Sequence, residues 1–204
     1  MNKPTLERII EVSKALNFKV FTDPFDVNLG FIRTLDNEVE TFNDWLFAYY
    51  RDKNNKLIGE VVAGTCDAGM YYRINPINKK GTAIIQHGVQ HKKVYQLQDP
   101  KLNKSLPGHK GQKAFRQIRP MAYWRDNNKN VTLDFKGETF MDDAFTNGHY
   151  MGTVGKKVGT WSAGCWGTTV KELDKIFAIA QVQIDNKLGD VFSLTALHEE
   201  HFKR

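Results

Sequence analysis

His149-Tyr150 and Ser162-Ala163-Gly164-Cys165 place an imidazole sixteen residues ahead of a thiol, and the two groups together are suited to acyl transfer. A thiol attacks a carbonyl as the thiolate, and an imidazole is the usual acceptor of its proton. The residues around the thiol supply what else such a reaction needs. Ser162 offers a hydroxyl to orient the imidazole, the part an Asp or Asn plays in other triads. Gly164 and its small neighbours permit a tight turn whose backbone N–H groups face an oxyanion. Cys165 is then the nucleophile and His149 the base that later protonates the leaving amine, with the oxyanion resting on the N–H groups of Cys165 and Gly164. Trp161 beside the motif, His109 in Pro107-Gly108-His109-Lys110-Gly111 and Tyr123 are the candidates for touching substrate.

Papain-like and NlpC-like hydrolases place the cysteine first and the histidine far downstream; here the histidine comes first and close. That order and spacing resemble the YkuD-type L,D-transpeptidases, whose signature is a histidine, a glycine-containing stretch and then Ser-x-Gly-Cys. His149, Gly152, Gly155, Gly159, Ser162, Gly164 and Cys165 stand at the matching places, over about residues 145–168. A looser likeness runs from Gly81-Thr82-Ala83-Ile84-Ile85 to the end, toward phage and bacterial proteins with the Ser-Ala-Gly-Cys variant. The family usually carries an arginine two residues after the cysteine, and often a histidine between the serine and the glycine. This chain has Gly167 and Ala163 there. The resemblance implies a β-rich sandwich and a peptidoglycan stem peptide as substrate, at the bond between the L-centre of the third residue and a following D-residue. Water as acceptor gives L,D-carboxypeptidase or endopeptidase cleavage, and an amine gives transpeptidation. No cofactor is implied.

The other candidates for chemistry read as ordinary structure. His87 and His91 are four apart, but their neighbours look like strands and no third ligand accompanies them. His198-Glu199-Glu200-His201 has its histidines three apart, not the four of a zincin helix. Two Arg-Asp-x-Asn stretches, from Arg51 and from Arg125, have the look of calcium loops. Both lack the terminal glutamate of an EF-hand and read as turns. No metal is expected. Cys66, in Gly64-Thr65-Cys66-Asp67-Ala68-Gly69, is a small residue in a glycine-rich connection, and two cysteines make no disulfide framework.

Composition sets the frame for this chemistry. The 204 residues suffice for one buried domain, and 41% hydrophobic with 12% aromatic content argues against disorder. No apolar run is long enough for a membrane span. Met1 to Arg8 leads into a charged amphipathic segment and not an apolar signal core, so the expectation is cytoplasmic synthesis without a signal peptide. Action at the cell wall would follow release, as in phage lysis or from a virion, and this tilts the reading toward cleavage in an endolysin-like role. The net charge of +6 favours an anionic partner such as peptidoglycan. Its lysines are scattered (Lys79-Lys80, Lys92-Lys93, Lys110 to Lys113, Lys156-Lys157, Lys203-Arg204), with no nucleic-acid fingerprint. The rivals are a non-catalytic virion or wall-binding module and a nucleic-acid-binding protein.

The elements that must position the site follow from periodicity. Leu6, Ile9, Ile10, Val12 and Leu16 give a helical stripe over 4–16, and Phe18 to Phe21 and Phe31 to Arg33 alternate like strands. Apolar runs on both sides of Asp52–Lys56, and of Asp126–Asn130, predict two hairpins, 45–62 and 121–135. Residues 81–97 hold two more β-rich runs, and 99–114 is a polar loop. Thr169 and Glu172 have capping-box spacing ahead of a helix carrying Val170, Leu173, Ile176, Phe177, Ala180 and Ile184. Val191 to Leu197 closes the chain as a strand. The expectation is a mainly β (α+β) sandwich in a single domain, 1–204, with an N-terminal elaboration over 1–56 and a catalytic core over 57–198.

Overall fold

Thr5 opens the first element: its hydroxyl accepts the Arg8 backbone N–H at 3.2 Å and caps α1, Leu6–Ala15. The computed structural model describes residues 1–35, 40–135, 137–152 and 157–203. Gly155, Lys156 and Arg204, named in the sequence analysis, lie outside them. Beyond α1 the fold is mainly β, as composition and alternation imply. One sheet of eight strands contains β1 (Asn28–Arg33), β2 (Asp44–Arg51), β3 (Leu57–Gly64), β5 (Val89–Gln98), β6 (Ala114–Gln117), β9 (Gly148–Tyr150), β10 (Trp166–Thr168) and β11 (Val191–His198). Its spatial order is β10-β9-β6-β5-β11-β1-β2-β3. A smaller sheet joins β4 (Thr82–Ile85), β7 (Met121–Asp126) and β8 (Thr139–Asp142), with β7 central. Two short helices, α2 (Met70–Ile74) and α3 (Val170–Asp185), and a 3₁₀ turn over Glu199–Phe202 complete the chain.

The large sheet curls until its outer strands meet. Thr65 N–H donates to the Gly167 carbonyl and Gly167 N–H to the Thr65 carbonyl, both at 2.8 Å. This pair joins the end of β3 to β10. Strand β2 shows how the layers form: Leu46, Ala48 and Tyr50 face the main core with Leu29, Phe31 and Phe192, beneath the apolar side of α3. Phe47 and Tyr49, alternating with them, pack against Ile9, Ile10 and Val12 of α1. A strand covered on both faces reads as an unbroken apolar run, and Trp45 to Tyr50 is one. Trp166, wholly buried, stacks on Phe115 at 5.4 Å, and Phe115 meets Phe177 at 5.2 Å. A β-carbon at Gly148 would meet the Trp166 ring at 2.3 Å, so β9 lies close against β10 only because it is glycine there.

Local readings are met in some places and overridden in others. The hairpin around Asp52–Lys56 forms with Arg51 opposite Leu57, and Asp52 Oδ1 accepts from the N–H groups of Asn54 and Lys56. The boundary read at residue 56 falls inside this hairpin, and β1 and β2 lie in the same sheet as the strands of the expected core. Phe18–Phe21 is not a strand. Side-chain amides take its backbone bonds: Gln90 pairs with Lys19, and Asn28 with Phe21. Thr169 precedes α3, but its side chain makes no cap bond and Glu172 pairs with Lys175 at 2.8 Å, so the capping box does not form.

The second Arg-Asp-x-Asn stretch does not turn back into a hairpin either. Strand β7 pairs with β8 instead, and residues 126–134 wrap an arginine. Arg73, 2% exposed, reaches Asp126 Oδ2 at 2.7 Å, the Asn130 carbonyl at 3.1 Å and Asn128 Oδ1 at 3.3 Å, and also bonds the Thr132 carbonyl. Asp126 Oδ2 accepts the Asp134 N–H as well. The likeness to a calcium loop has a physical basis, because the loop turns its oxygens inward onto a cation, and that cation is a guanidinium.

A second buried ion group ties β1 and β2 to the segment after β3. Arg33, 1% exposed, gives Asp67 Oδ1 bonds of 2.9 and 3.2 Å from Nη2 and Nε. Its Nη1 donates to the Ile85 carbonyl and to His87 Nδ1, both at 3.0 Å. Asp44 accepts the Thr34 N–H at 2.9 Å, the Cys66 N–H at 2.9 Å and the Cys66 thiol at 3.1 Å. Burial, reinforced by the charge of Asp67 and opposed by Arg33, pushes Asp44 up to about 6. Among the described residues no helix is long and apolar enough to cross a membrane.

Removing the carboxylate that neutralises Arg33 leaves a buried charge unpaired. Asp67→Ala is expected to cost about 3–5 kcal/mol in urea denaturation; a loss below about 1 kcal/mol would show that the ion pair does not hold this junction.

Candidate active site

Strands β9 and β10 run parallel, with Gly148 opposite Trp166 and His149 opposite Gly167. Side chains alternate along a strand. His149 and Gly167 therefore share a face, and Asn147 and Cys165 stand immediately before the two strands. The Asn147 backbone N–H donates to Cys165 Sγ at 3.3 Å, and the Asn147 carbonyl accepts the Trp166 N–H at 3.0 Å. Thiol and imidazole are thus brought to one wall of the same groove, of about 470 Å³, which His109, Trp161, Gly164 and Arg125 also line.

The Ser-Ala-Gly-Cys turn is built by its own side chain. Ser162 Oγ donates to the Cys165 carbonyl at 2.7 Å and accepts the Gly164 N–H at 3.1 Å. Ser162 is wholly buried, and its proton and an acceptor position are both engaged by the motif's backbone. The expected role of Ser162 is therefore corrected: it shapes the turn and does not orient the imidazole. The Gly164 N–H is likewise engaged by Ser162 and is not free for an oxyanion, which leaves that part to the Cys165 N–H. Gly164 contributes conformation. It sits at φ 127°, and a β-carbon there would stand 2.7 Å from the Ala83 carbonyl.

The imidazole is oriented by the main chain. His149 Nδ1 lies 2.8 Å from the Tyr150 carbonyl; a carbonyl only accepts, so Nδ1 carries the proton and Nε2 a lone pair. That Nε2 is buried without a hydrogen-bond partner. The ring stacks on His109, centroids 4.0 Å apart and 14° from parallel. His109 Nδ1 faces the Asn147 amide nitrogen at 3.3 Å, while Asn147 Oδ1 accepts the Gln117 N–H at 3.0 Å, which sets the amide's direction and places the His109 proton on Nε2. Asn147 was not singled out from sequence. The available signal was its place two residues before His149.

Burial pulls His149 down to about 4, with the neighbouring His109 adding to the effect. Burial pushes the Cys165 thiol up to about 11, against the pull of the Asn147 N–H and of the Arg116 and Lys110 charges. At neutral pH the thiol and both imidazoles are therefore neutral, and no thiolate–imidazolium pair is present.

The remaining expectations divide. Trp161, 47% exposed, and half-buried His109 both line the groove. Tyr123 does not. It is buried behind the wall, its hydroxyl donating to Asp142 and its ring lying under the Arg125 guanidinium at 4.9 Å. At Gly167 a β-carbon would stand 2.0 Å from the His149 carbonyl, so the parallel approach of β9 and β10 excludes any side chain where the family carries its arginine. Asp44, Cys66 and Asp67 bring possible ligand atoms within 4.8 Å of one another, but Arg33 is already the cation of that cluster.

Iodoacetamide alkylation of Cys165 is expected to be slow at pH 7 and to rise about tenfold per pH unit toward about 11. A rate already at its plateau at pH 7 would overturn the neutral resting state; wholly buried Cys66 gives no competing signal in the folded protein. Gly167→Arg is expected to lower the melting temperature by about 5–10 °C, and an unchanged melting curve would show that β10 can retreat from β9.

Comparison with known protein families, with curated proteins and with solved structures finds no match to this chain.

Proposed function

We propose that this chain is a cysteine-dependent acyl-transfer enzyme acting on peptidoglycan stem peptides, with L,D-carboxypeptidase or endopeptidase cleavage as its main reaction. The observation that carries the reading is half-buried Cys165 together with His149, whose Nε2 is buried and unpartnered, lining one groove from neighbouring segments at β10 and β9. The histidine-first order and the Ser-Ala-Gly-Cys turn support the substrate class, and the basic surface suits an anionic wall.

In this reading a peptide carbonyl enters the groove and displaces water. As the S–C bond forms, the Cys165 proton passes to His149 Nε2, and the carbonyl oxygen becomes an oxyanion held by the Cys165 N–H. Collapse breaks the C–N bond, and the leaving amine takes the proton from Nε2. Water then attacks the thioester, giving its proton to Nε2; that proton returns to sulfur as the carboxylic acid departs. An amine in place of water gives transpeptidation. Because the resting pair is neutral, the proton moves only as the carbon–sulfur bond forms, and the site has no need of a standing thiolate.

The same neutral pair favours a second reading, a wall-binding module whose thiol performs no chemistry. The two part on digestion of meso-diaminopimelate peptidoglycan, read by mass spectrometry of released muropeptides. Wild type is expected to remove terminal D-residues or open cross-links. Cys165→Ala should abolish this, and His149→Ala should slow it about 10²–10⁴-fold. Unaltered muropeptides from sacculi that the wild type demonstrably binds would overturn catalysis and leave the binding module.

A further inference from the structure

The Cys165 groove contains a cation whose bonding is unfinished. Arg125 lines it and is held in place from two sides: Nη1 donates to the Gly81 carbonyl at 3.1 Å and Nη2 to the Tyr123 hydroxyl at 3.3 Å. The guanidinium plane rests over the Tyr123 ring, 4.9 Å from its centroid. Of the five N–H donors of an arginine, these contacts use two. Nε is buried and has no partner. Among the described residues no carboxylate lies within salt-bridge distance of Arg125, unlike Arg33 and Arg73, which are both neutralised. Arg125 is half-buried, and an orphaned donor buried within it is costly unless a ligand completes it.

Strand β4 connects this cation to the nucleophile's turn. Gly164 abuts the Ala83 carbonyl, and Ala83 is the register partner of Arg125 across β4 and β7. The backbone of Arg125 is therefore one strand away from the strand on which the Cys165 turn rests, and its side chain lines the same groove as Cys165. A substrate whose scissile carbonyl meets Cys165 therefore runs along the same groove as Arg125. A guanidinium with adjacent free N–H groups matches a carboxylate in two-pronged geometry.

We infer that Arg125 is the specificity residue of the groove, binding the terminal carboxylate of the residue released from the acyl donor. This rests on the acyl-transfer reading and deepens it. It makes the preferred substrate a stem peptide with a free C-terminal D-residue, and the preferred reaction carboxypeptidase over cleavage of those cross-links in which that carboxyl is an amide. It also places a carboxylate anchor on β7, where a side chain has room, and not at position 167, where none has.

The test separates binding from turnover. Cys165→Ala protein is titrated calorimetrically with a synthetic stem tetrapeptide ending in D-Ala, as the free acid and as the C-terminal amide. The free acid is expected to bind about 10- to 100-fold tighter than the amide. Arg125→Met should erase that preference, and Arg125→Lys, which keeps the charge without the fork, should retain only part of it. Equal binding of acid and amide, or binding of neither, would overturn the anchor, and so would a preference abolished by Lys110→Met but not by Arg125→Met, since Lys110 is the other cation among the described residues that line the groove. Should Arg125→Met fail to fold, the wild-type acid-to-amide ratio and the Arg125→Lys ratio still decide. Turnover by protein with Cys165 intact is scored separately. Acid-selective binding without turnover sinks the enzyme reading and keeps the anchor, whereas turnover with equal kcat/KM on acid and amide keeps the enzyme and sinks the anchor.

Discussion

Two reciprocal hydrogen bonds between Thr65 and Gly167 fasten the end of β3 to the strand that follows the nucleophile, and much of the site's geometry depends on them. They hold because the next two residues belong to the buried ion group. Cys66 gives its N–H and its thiol to Asp44, and Asp67 neutralises Arg33. The segment continues to Gly69, whose N–H donates to the Ser162 carbonyl at 3.0 Å and where a β-carbon would stand 1.9 Å from the Gly159 carbonyl. From Arg33 to Ser162 the contacts are continuous. Such a pair contributes little net stability in itself, because desolvation offsets its attraction, but either partner alone would be a buried charge. The geometry is therefore specified strongly even where the net energy is small.

That rigidity allows an otherwise unfavourable arrangement at the groove. A lone pair on His149 Nε2 is left without a donor, an arginine is left without a carboxylate, and the thiol is kept from ionising. The first two cost free energy; the third does not, since a thiol is neutral at pH 7 in any case. Glycine carries part of the burden: Gly148, Gly164 and Gly167 let backbone or rings approach to distances that a β-carbon would forbid. The stacked His109 and His149 stay neutral for the same reason, since burial disfavours the charged form of each. A site of this kind is poised to take its protons and charges from a ligand.

Much of this was legible in one dimension. The 3.6-residue stripe of α1, the unbroken apolar run of β2 and the Asp52 turn are local consequences of side-chain type, and local physics settles them. Cys165 and His149 were legible as candidates through residue type and order, and the structure places both on one groove. What misled was a correct local signal with a stronger distant competitor. Phe18–Phe21 alternates like a strand, yet the amides of Gln90 and Asn28 satisfy its backbone first. Val131–Phe135 has strand character, yet β8 takes the edge of β7 and Arg73 draws the loop's oxygens inward. Ser162 stands where an orienting hydroxyl would be useful, yet its own turn engages it.

By itself, then, the sequence determined a mainly β fold with a helix near the start and another after the cysteine, a thiol with a histidine upstream of it, and a cationic surface. These depend on composition, period and short spacing. Only the tertiary structure decided that the Tyr150 carbonyl orients His149, that Asn147 links the Cys165 thiol to the His109 imidazole, that Gly167 has no room for a side chain and that Arg125 has no carboxylate beside it among the described residues. Each is a contact between strands distant in sequence or a matter of which hydrogen-bond partner arrives first. Spacing along a chain carries no information about either until the chain has closed on itself.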